Sequence, residues 1–256
     1  MGLGIRSWLQ RHGIQRPVKF DYHADGFAVN GKNLFALTER AFDRAYKEAA
    51  RLNTAGWPDG VPDIRWRAHV CCWAAKNALS LQGDFVECGV NTGLLSLTVA
   101  HFLNFATLNR TFWLLDTFAG IPLERVSLEE KAHAAMLNGA LYFDCYEVAR
   151  NNFAPFPNAR LVRGILPDSL VNTQINQIAY LSMDMNNAAA EIATFEHLWP
   201  KLSPGAIVVI DDYAFSGYEA QFRAWNDFAH SKNQMVLTIP TGQGILIKPA
   251  SSIENS

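Results

Sequence analysis

The most informative stretch of this chain is Gly-Asp-Phe-Val-Glu-Cys-Gly-Val-Asn-Thr-Gly, residues 83–93. A short apolar strand ends beside an acidic residue, and two glycines four positions apart open a turn before the apolar run 94–102. Glycines let the backbone approach a ligand closely, and the free N–H groups of the helix that follows face it. The stretch therefore predicts the ligand-binding turn of an α/β fold.

The glycine spacing bears on the class of ligand. A dinucleotide turn has the pattern Gly-x-Gly-x-x-Gly, with a pyrophosphate at the helix end, but Asn91 stands where the second glycine would be. An acidic strand end followed by Gly-x-x-x-Gly suits a ligand with an amino-acid tail and no pyrophosphate. This favours S-adenosylmethionine (SAM) over NAD, although Gly-x-x-x-Gly also closes ordinary strand-to-helix turns.

The composition fits one α/β domain with an N-terminal extension. The chain has 256 residues, of which 49% are hydrophobic, and a formal net charge of −2, so nothing in its charge predicts a nucleic-acid partner. Four cysteines without a Cys-x-x-Cys pair predict a reduced, cytoplasmic protein. The sequence has no apolar run that predicts a secretion signal or a membrane span. We expect a soluble protein that binds no membrane.

Strands and helices alternate after residue 83, which predicts a mostly parallel, Rossmann-like sheet with helices on both faces. The predicted strands are 84–88, 111–116, 160–163, 178–183 and 206–210, followed by an antiparallel C-terminal hairpin from 235–239 and 245–247. Residues 1–82 are predicted as a helical extension or lid, 83–250 as the catalytic domain and 251–256 as a tail. A helix is expected over 37–52 with Thr38 as its N-cap, and residues 128–153 are expected to be mostly helical.

Acidic residues end four of the predicted strands, at Glu87, Asp116, Asp184 and the pair Asp211-Asp212. Ligands of open α/β sheets bind beyond the carboxyl ends of the strands. Asp116 is placed to accept ribose hydroxyls, or else to cap a helix beside Thr117.

The other acidic strand ends form a second group. Adjacent aspartates after an apolar strand are costly unless a positive group lies among them. Asp184, Asp211 and Asp212 are therefore predicted to bind Mg²⁺ or a similar divalent ion, or else to form turns and caps.

The seven histidines form no pair with zinc-ligand spacing. His133, between the second and third predicted strands, is the histidine best placed to overhang the site as a general base. The alternative is an ordinary exposed position on a helix.

Four blocks then occur in a characteristic order: 83–90, Leu-Asp-Thr-Phe-Ala-Gly-Ile-Pro at 115–122, Val-Arg-Gly-Ile-Leu-Pro-Asp-Ser-Leu at 162–170, and Leu-Ser-Pro-Gly with Val-Val-Ile-Asp-Asp-Tyr within 202–213. The sequence resembles the macrocin O-methyltransferase (TylF/MycF-like) family of class I SAM-dependent enzymes over roughly residues 79–248.

The resemblance implies a seven-stranded Rossmann-like fold and methyl transfer to a hydroxyl, typically on a sugar of a natural product, with Mg²⁺ near the acceptor. It implies a homo-oligomer in which N-terminal elements cap a neighbouring site. The cofactor-binding residues that follow are Glu87, Gly89, Asn91 and Gly93 for the methionine tail, Asp116, Thr117 and Phe118 around the ribose, and Gly164 near the adenine. The metal ligands that follow are Asp184, Asp211 and Asp212. The chain departs from the family at Asn186, where an aspartate is usual.

The sequence thus predicts a SAM-dependent O-methyltransferase with a small-molecule acceptor and divalent-metal assistance. Two alternatives remain at this point. One is an NAD-dependent oxidoreductase with a variant glycine loop, and the other is a non-catalytic SAM-binding partner protein.

Overall fold

The computed structural model describes residues 19–57 and 59–250. Its strands are β1 (Tyr22–Ala24), β2 (Phe27–Val29), β3 (Asp84–Cys88), β4 (Phe112–Asp116), β5 (Ala159–Arg163), β6 (Ile178–Met183), β7 (Leu202–Ile210), β8 (Leu237–Thr238) and β9 (Gly244–Ile247). Its α-helices are α1 (Phe35–Thr38), α2 (Arg40–Leu52), α3 (Arg65–Ala78), α4 (Leu94–Leu103), α5 (Lys131–Ala140), α6 (Tyr146–Phe153), α7 (Ala188–Leu198) and α8 (Glu219–Ser231). The predicted tail at 251–256 and the first 18 residues of the predicted extension lie outside the described residues.

Within the described residues, seven strands form one sheet in the order β5-β4-β3-β6-β7-β9-β8. Neighbours from β5 to β7 run parallel, whereas β9 runs antiparallel to both β7 and β8. The predicted Rossmann-like sheet with a C-terminal antiparallel hairpin is therefore confirmed. The hairpin places β9 inside the sheet and leaves the two-residue β8 at its edge.

The central strands are apolar because both faces of the sheet are covered, as expected for parallel sheets. Successive side chains point to opposite faces, so each strand contributes to two hydrophobic clusters. Phe85, Leu114, Tyr180 and Val209 belong to the cluster that includes residues of α2, α3 and α4. Their neighbours Val86, Leu115, Leu181 and Val208 belong to the cluster that includes residues of α7 and α8.

Three local predictions need correction. The expected helix 37–52 is divided into α1 and α2, and Glu39 rather than Thr38 caps α2, since its carboxylate accepts from two backbone N–H groups of the first turn. The segment 128–153 contains two helices separated by residues 141–145. The N-terminal extension is not wholly helical, because it also contains the hairpin β1–β2 around an Asp25-Gly26 turn. Asp-Gly is a strong hairpin signal.

No helix of residues 19–57 and 59–250 is long and apolar enough to cross a membrane. All four cysteines are buried and unpaired.

Candidate active site

The carboxyl ends of the central strands meet at one edge of the sheet because their registers match. Cys88 at the end of β3 pairs with Leu115 of β4 and with Met183 of β6, and Met183 pairs with Ile210 of β7. The residue that follows each of these strand positions therefore reaches the same edge. This register brings together Gly89, Asp116, Asp184 and Asp211, as the sequence predicts.

A cavity of about 270 Å³ opens at this edge. The predicted site residues that line it are Glu87, Gly89, Asn91, Asp116, Thr117, Phe118, Gly164, Asp184, Asp211 and Asp212. Gly93 and His133 are not among the lining residues. We call the part formed by Glu87, Gly89 and Asp116 the glycine end, and the part formed by Asp184, Asp211 and Asp212 the acidic end.

Position 89 must be glycine because the backbone after β3 lies against the backbone after β6. Its backbone is left-handed, with φ of 85°, and a Cβ atom there would lie 1.8 Å from the carbonyl oxygen of Asp184. A side chain at this position would push the glycine end away from the acidic end. Gly93 precedes α4, also with positive φ, and a Cβ there would overlap the ring of Phe153. Gly93 is thus explained by packing and not by cavity lining.

The Asp116 carboxylate holds the glycine loop in place. One oxygen accepts from the backbone N–H groups of Val90 and Asn91, at 2.5 and 2.7 Å, and the other accepts from the N–H of Phe118 at 2.7 Å. Hydrogen bonds to the loop backbone therefore take up much of its accepting capacity, and the predicted ribose contact would have to use the rest. Gly164 extends this arrangement, because its N–H donates to the Asp116 carbonyl at 2.9 Å.

Glu87 carries a buried carboxylate at the glycine end of the cavity. Its side chain lines the cavity, is only 3% exposed, and has no hydrogen-bond partner at Oε2 among the described residues. Burial raises the pKa of this carboxyl to about 8. A buried carboxylate without a partner is unfavourable, and an ammonium group of a ligand would satisfy it. The side chain therefore fits the amino-acid tail of SAM.

The three aspartates of the acidic end lie close together, as predicted. Each offers one carboxylate oxygen, and the three oxygens lie within 4.8 Å of one another. Carboxylate oxygens are the ligands that Mg²⁺ and Ca²⁺ prefer. Burial, together with the charges of Asp211 and Asp212, raises the pKa of Asp184 well above its usual value, and burial, then the Asp211 charge, also raises the pKa of Asp212. The donor set therefore fits a divalent ion.

Arg67 of α3 also enters the acidic end, and sequence reasoning missed it. Its Nη1 donates to Asp211 Oδ2 at 2.5 Å and lies 3.6 Å from Asp212 Oδ1. The other oxygen of Asp211 accepts from Gln243 Nε2 at 2.9 Å, and Asp211 is only 1% exposed. Both carboxylate oxygens of Asp211 are therefore hydrogen-bonded within the chain. Arg67, Cys71 and Ala75 are four positions apart on α3, and Cys71 and Ala75 are buried. This helical spacing is the sequence signal that could have placed Arg67 on the buried face of α3.

Asn186 replaces the carboxylate that is usual in the resembled family. Its amide donates to Tyr142 Oη at 3.1 Å and to Asp184 Oδ1 at 3.4 Å. The amide thus contacts Asp184 without adding another negative charge to the cluster. Burial, then the charges of Asp184 and Asp212, raises the pKa of Tyr142 well above its usual value, so its phenol stays protonated.

His133 of α5 does not line the cavity. Its ring packs edge-on against Tyr218 with centroids 4.8 Å apart, and Tyr218, unlike His133, lines the cavity. A Cβ atom on Gly217 would stand 3.5 Å from His133 Cε1. The structure thus places His133 against the segment before α8. The titratable groups of the cavity lining near the acidic end include the aspartates themselves, Arg67, Tyr142 and Tyr218.

Several known proteins are similar to this chain in sequence. The family model described as "Macrocin-O-methyltransferase (TylF)" matches residues 39–239. The demethyldecarbamoylnovobiocin O-methyltransferase of Streptomyces niveus is 28% identical over 183 residues, which cover 67% of this chain and 70% of that protein. The 8-demethyl-8-(2,3-dimethoxy-alpha-L-rhamnosyl)-tetracenomycin-C 4'-O-methyltransferase of Streptomyces olivaceus is 31% identical over 153 residues, 56% of this chain and 58% of that protein.

The solved structure of the O-methyltransferase NovP has the same fold. It superposes with a TM-score of 0.62 at 21% identity, covering 84% of this chain and 98% of that one. The family match spans most of the chain and includes both ends of the cavity. The chain belongs to the macrocin O-methyltransferase (TylF) family.

Proposed function

We propose that this protein is a SAM-dependent O-methyltransferase that methylates a sugar hydroxyl of a glycosylated small molecule, with a divalent ion at the acidic end. The observation that carries the proposal is the single cavity that joins Glu87 at one end to Asp184 and Asp212 at the other. Two relatives are O-methyltransferases by name, and one of those names specifies a substrate with a rhamnosyl group. These names support a glycosylated acceptor.

The glycine end would hold SAM, which when bound supplies a methyl group on a positively charged sulfur. The Glu87 carboxylate would accept hydrogen bonds from the ammonium of the methionine tail. Gly89 and the loop fixed by Asp116 leave room for the ligand beside the backbone. Leu115 and Leu166 add apolar side chains to the cavity lining. Holding the methyl donor in one orientation is a main source of rate acceleration in a two-substrate reaction.

The acidic end would orient the acceptor and remove its proton. A sugar hydroxyl is a weak nucleophile near neutral pH, so the site must make deprotonation easier. Asp184, Asp211 and Asp212 would hold the divalent ion, which when bound supplies Lewis-acid chemistry that lowers the pKa of a hydroxyl. An oxygen of Asp212 would accept the proton, a role supported by a side chain that lines the cavity and is 14% exposed. We assign the proton acceptor to Asp212 in this proposal because His133 is not among the residues that line the cavity.

Methyl transfer from isotope-labelled SAM to a panel of glycosides with vicinal hydroxyls tests the proposal. The expected result is a labelled O-methyl product formed together with S-adenosylhomocysteine (SAH), at a rate that falls when a chelator removes divalent ions. Matched deoxy-glycosides, which lack one of the two hydroxyls, serve as controls and should react more slowly. Tight SAH binding with no transfer to any member of a broad panel would instead support a non-catalytic SAM-binding protein.

A further inference from the structure

The guanidinium of Arg67 connects the N-terminal hairpin to the acidic end. Its Nε and Nη2 donate to the two oxygens of Asp25 at 2.8 and 3.0 Å, while Nη1 donates to Asp211. Asp25 lies in the β1–β2 turn, and the side chains of Arg67 and Asp25 are only 16% and 18% exposed. The ring of Phe215 packs 5.4 Å from the Arg67 guanidinium carbon. The arginine is therefore held from three directions.

The charges in this region place Arg67 in competition with a metal ion. Asp184, Asp211 and Asp212 carry three negative charges when ionised, and Arg67 lies within salt-bridge distance of two of these carboxylates. A divalent ion and a guanidinium are both stabilised by the same carboxylate oxygens, and each repels the other. Asp211 Oδ2 in particular already accepts from Arg67 Nη1.

We propose that Arg67 is a resident cation of the acidic end, which competes with the divalent ion for Asp211 and Asp212, and that Asp25 weakens this competition by holding the guanidinium. This inference rests on the metal site of the proposed function. Arg67 acts through the metal ligands and is thus a positioning residue. It allows the aspartates to be buried together before an ion binds, at the cost of a lower affinity for that ion.

The two residues should therefore shift metal affinity in opposite directions. Arg67→Gln removes the competing charge and should strengthen binding of the ion, by roughly tenfold or more. Asp25→Asn removes a nearby negative charge and frees Arg67 to bind Asp211 and Asp212 more strongly, so it should weaken binding. Asparagine is well tolerated at this position, because Asp25 has a φ of 55° in a tight turn.

Titration of the full chain with Mn²⁺, followed by the electron paramagnetic resonance signal of the free ion, tests the proposal without an activity assay. Arg67→Lys is the matched control, since it keeps the charge and should stay closer to the unchanged protein than Arg67→Gln does. Thermal unfolding of each variant without metal establishes that it is folded. If Arg67→Gln does not fold, Arg67→Met is the second variant that removes the competing charge, and it should likewise bind Mn²⁺ more tightly than the unchanged protein.

Tighter Mn²⁺ binding by Arg67→Gln, or its appearance only in that variant, supports competition. Unchanged or weaker binding by Arg67→Gln would overturn it while leaving the metal site intact. The absence of Mn²⁺ binding from every variant would overturn the competition and the metal site together. Because SAH binding depends on the glycine end, it separates either failure from a failure of the methyltransferase proposal.

Discussion

At the glycine end of the cavity, the contacts that shape the site run between neighbouring strands, whereas at the acidic end they reach across most of the chain. Asp116 holds a loop that begins at the end of the adjacent strand. Arg67, by contrast, joins Asp25 to Asp211, which is 144 positions from the arginine. A ligand-binding loop can therefore be held by residues of the neighbouring strand, whereas the charges that surround a polar cluster come from residues far apart in the sequence.

The largest effect is expected where the two ends meet, at Gly89→Ala. The added Cβ would overlap the Asp184 carbonyl, and the residue would keep a left-handed backbone. We expect a loss of more than about 4 kcal/mol in the free energy of unfolding, measured by urea denaturation. Gly139→Ala is the control, because a Cβ added at this position of α5 would meet no atom within 4 Å, and it should gain about 0.5–1 kcal/mol. Equal stabilities of the two variants would contradict the close approach of the strands.

The next effect separates the chemistry of the acidic end from cofactor binding. Asp212→Asn should lower kcat for methyl transfer by about two orders of magnitude or more, because it removes a proton acceptor and a carboxylate ligand. Its affinity for SAH should stay unchanged, which calorimetry would show. A variant that loses SAH affinity as well would mean that the two ends are not separable.

Glu87→Gln should weaken SAH binding and leave the acidic end intact, which is the converse of the result expected for Asp212→Asn. Losing a charge-assisted hydrogen bond costs about 1.5–3 kcal/mol, so SAH affinity should fall roughly 10- to 100-fold. Mn²⁺ binding at the acidic end should change little. Unaltered SAH affinity would exclude Glu87 as the partner of the ammonium group.

The same variant tests the pKa of Glu87. Because the pKa is raised from 4.5 to about 8 by folding, the native state holds a proton that the unfolded chain releases. This contribution to stability is complete below about pH 4.5 and is lost as the pH rises through about 8. Urea denaturation without cofactor should therefore show the unchanged protein losing stability relative to Glu87→Gln between about pH 5 and 8. A constant difference over this range would mean that Glu87 is already ionised in the folded protein.

The smallest effect on activity is expected from a substitution of His133, which does not line the cavity. His133→Asn should change kcat by a factor of no more than about three, since the side chain does not line the cavity. A loss comparable with that of Asp212→Asn would restore His133 as the general base.

The glycine end could be predicted from the sequence because its signals are contiguous. Residues 83–93 contain the strand and the turn that leads into the helix, and the strand β3 has the predicted bounds. The convergence of Asp184 and Asp211 could also be predicted, because the carboxyl ends of parallel strands share one edge. The contacts of those aspartates could not be predicted from the spacing of residues in the sequence. Arg67 lies in a helix before the predicted catalytic domain, and only the packing of α3 brings it to the acidic end.

The contact between Asp25 and Arg67 could not be predicted from the sequence for a different reason. The hairpin turn itself has a recognisable sequence, but the docking of that turn on α3 depends on tertiary packing, to which Tyr22 contributes by lying edge-on against Trp66. Local propensity describes the turn and says nothing about its partner.

Calorimetric titration with SAH, with NAD as the control ligand, tests the central claim most directly. We expect roughly micromolar binding of SAH, no binding of NAD, and a marked loss of SAH affinity in Glu87→Gln. Binding of NAD in preference to SAH, or the absence of binding by either ligand, would contradict a methyl-donor site at the glycine end.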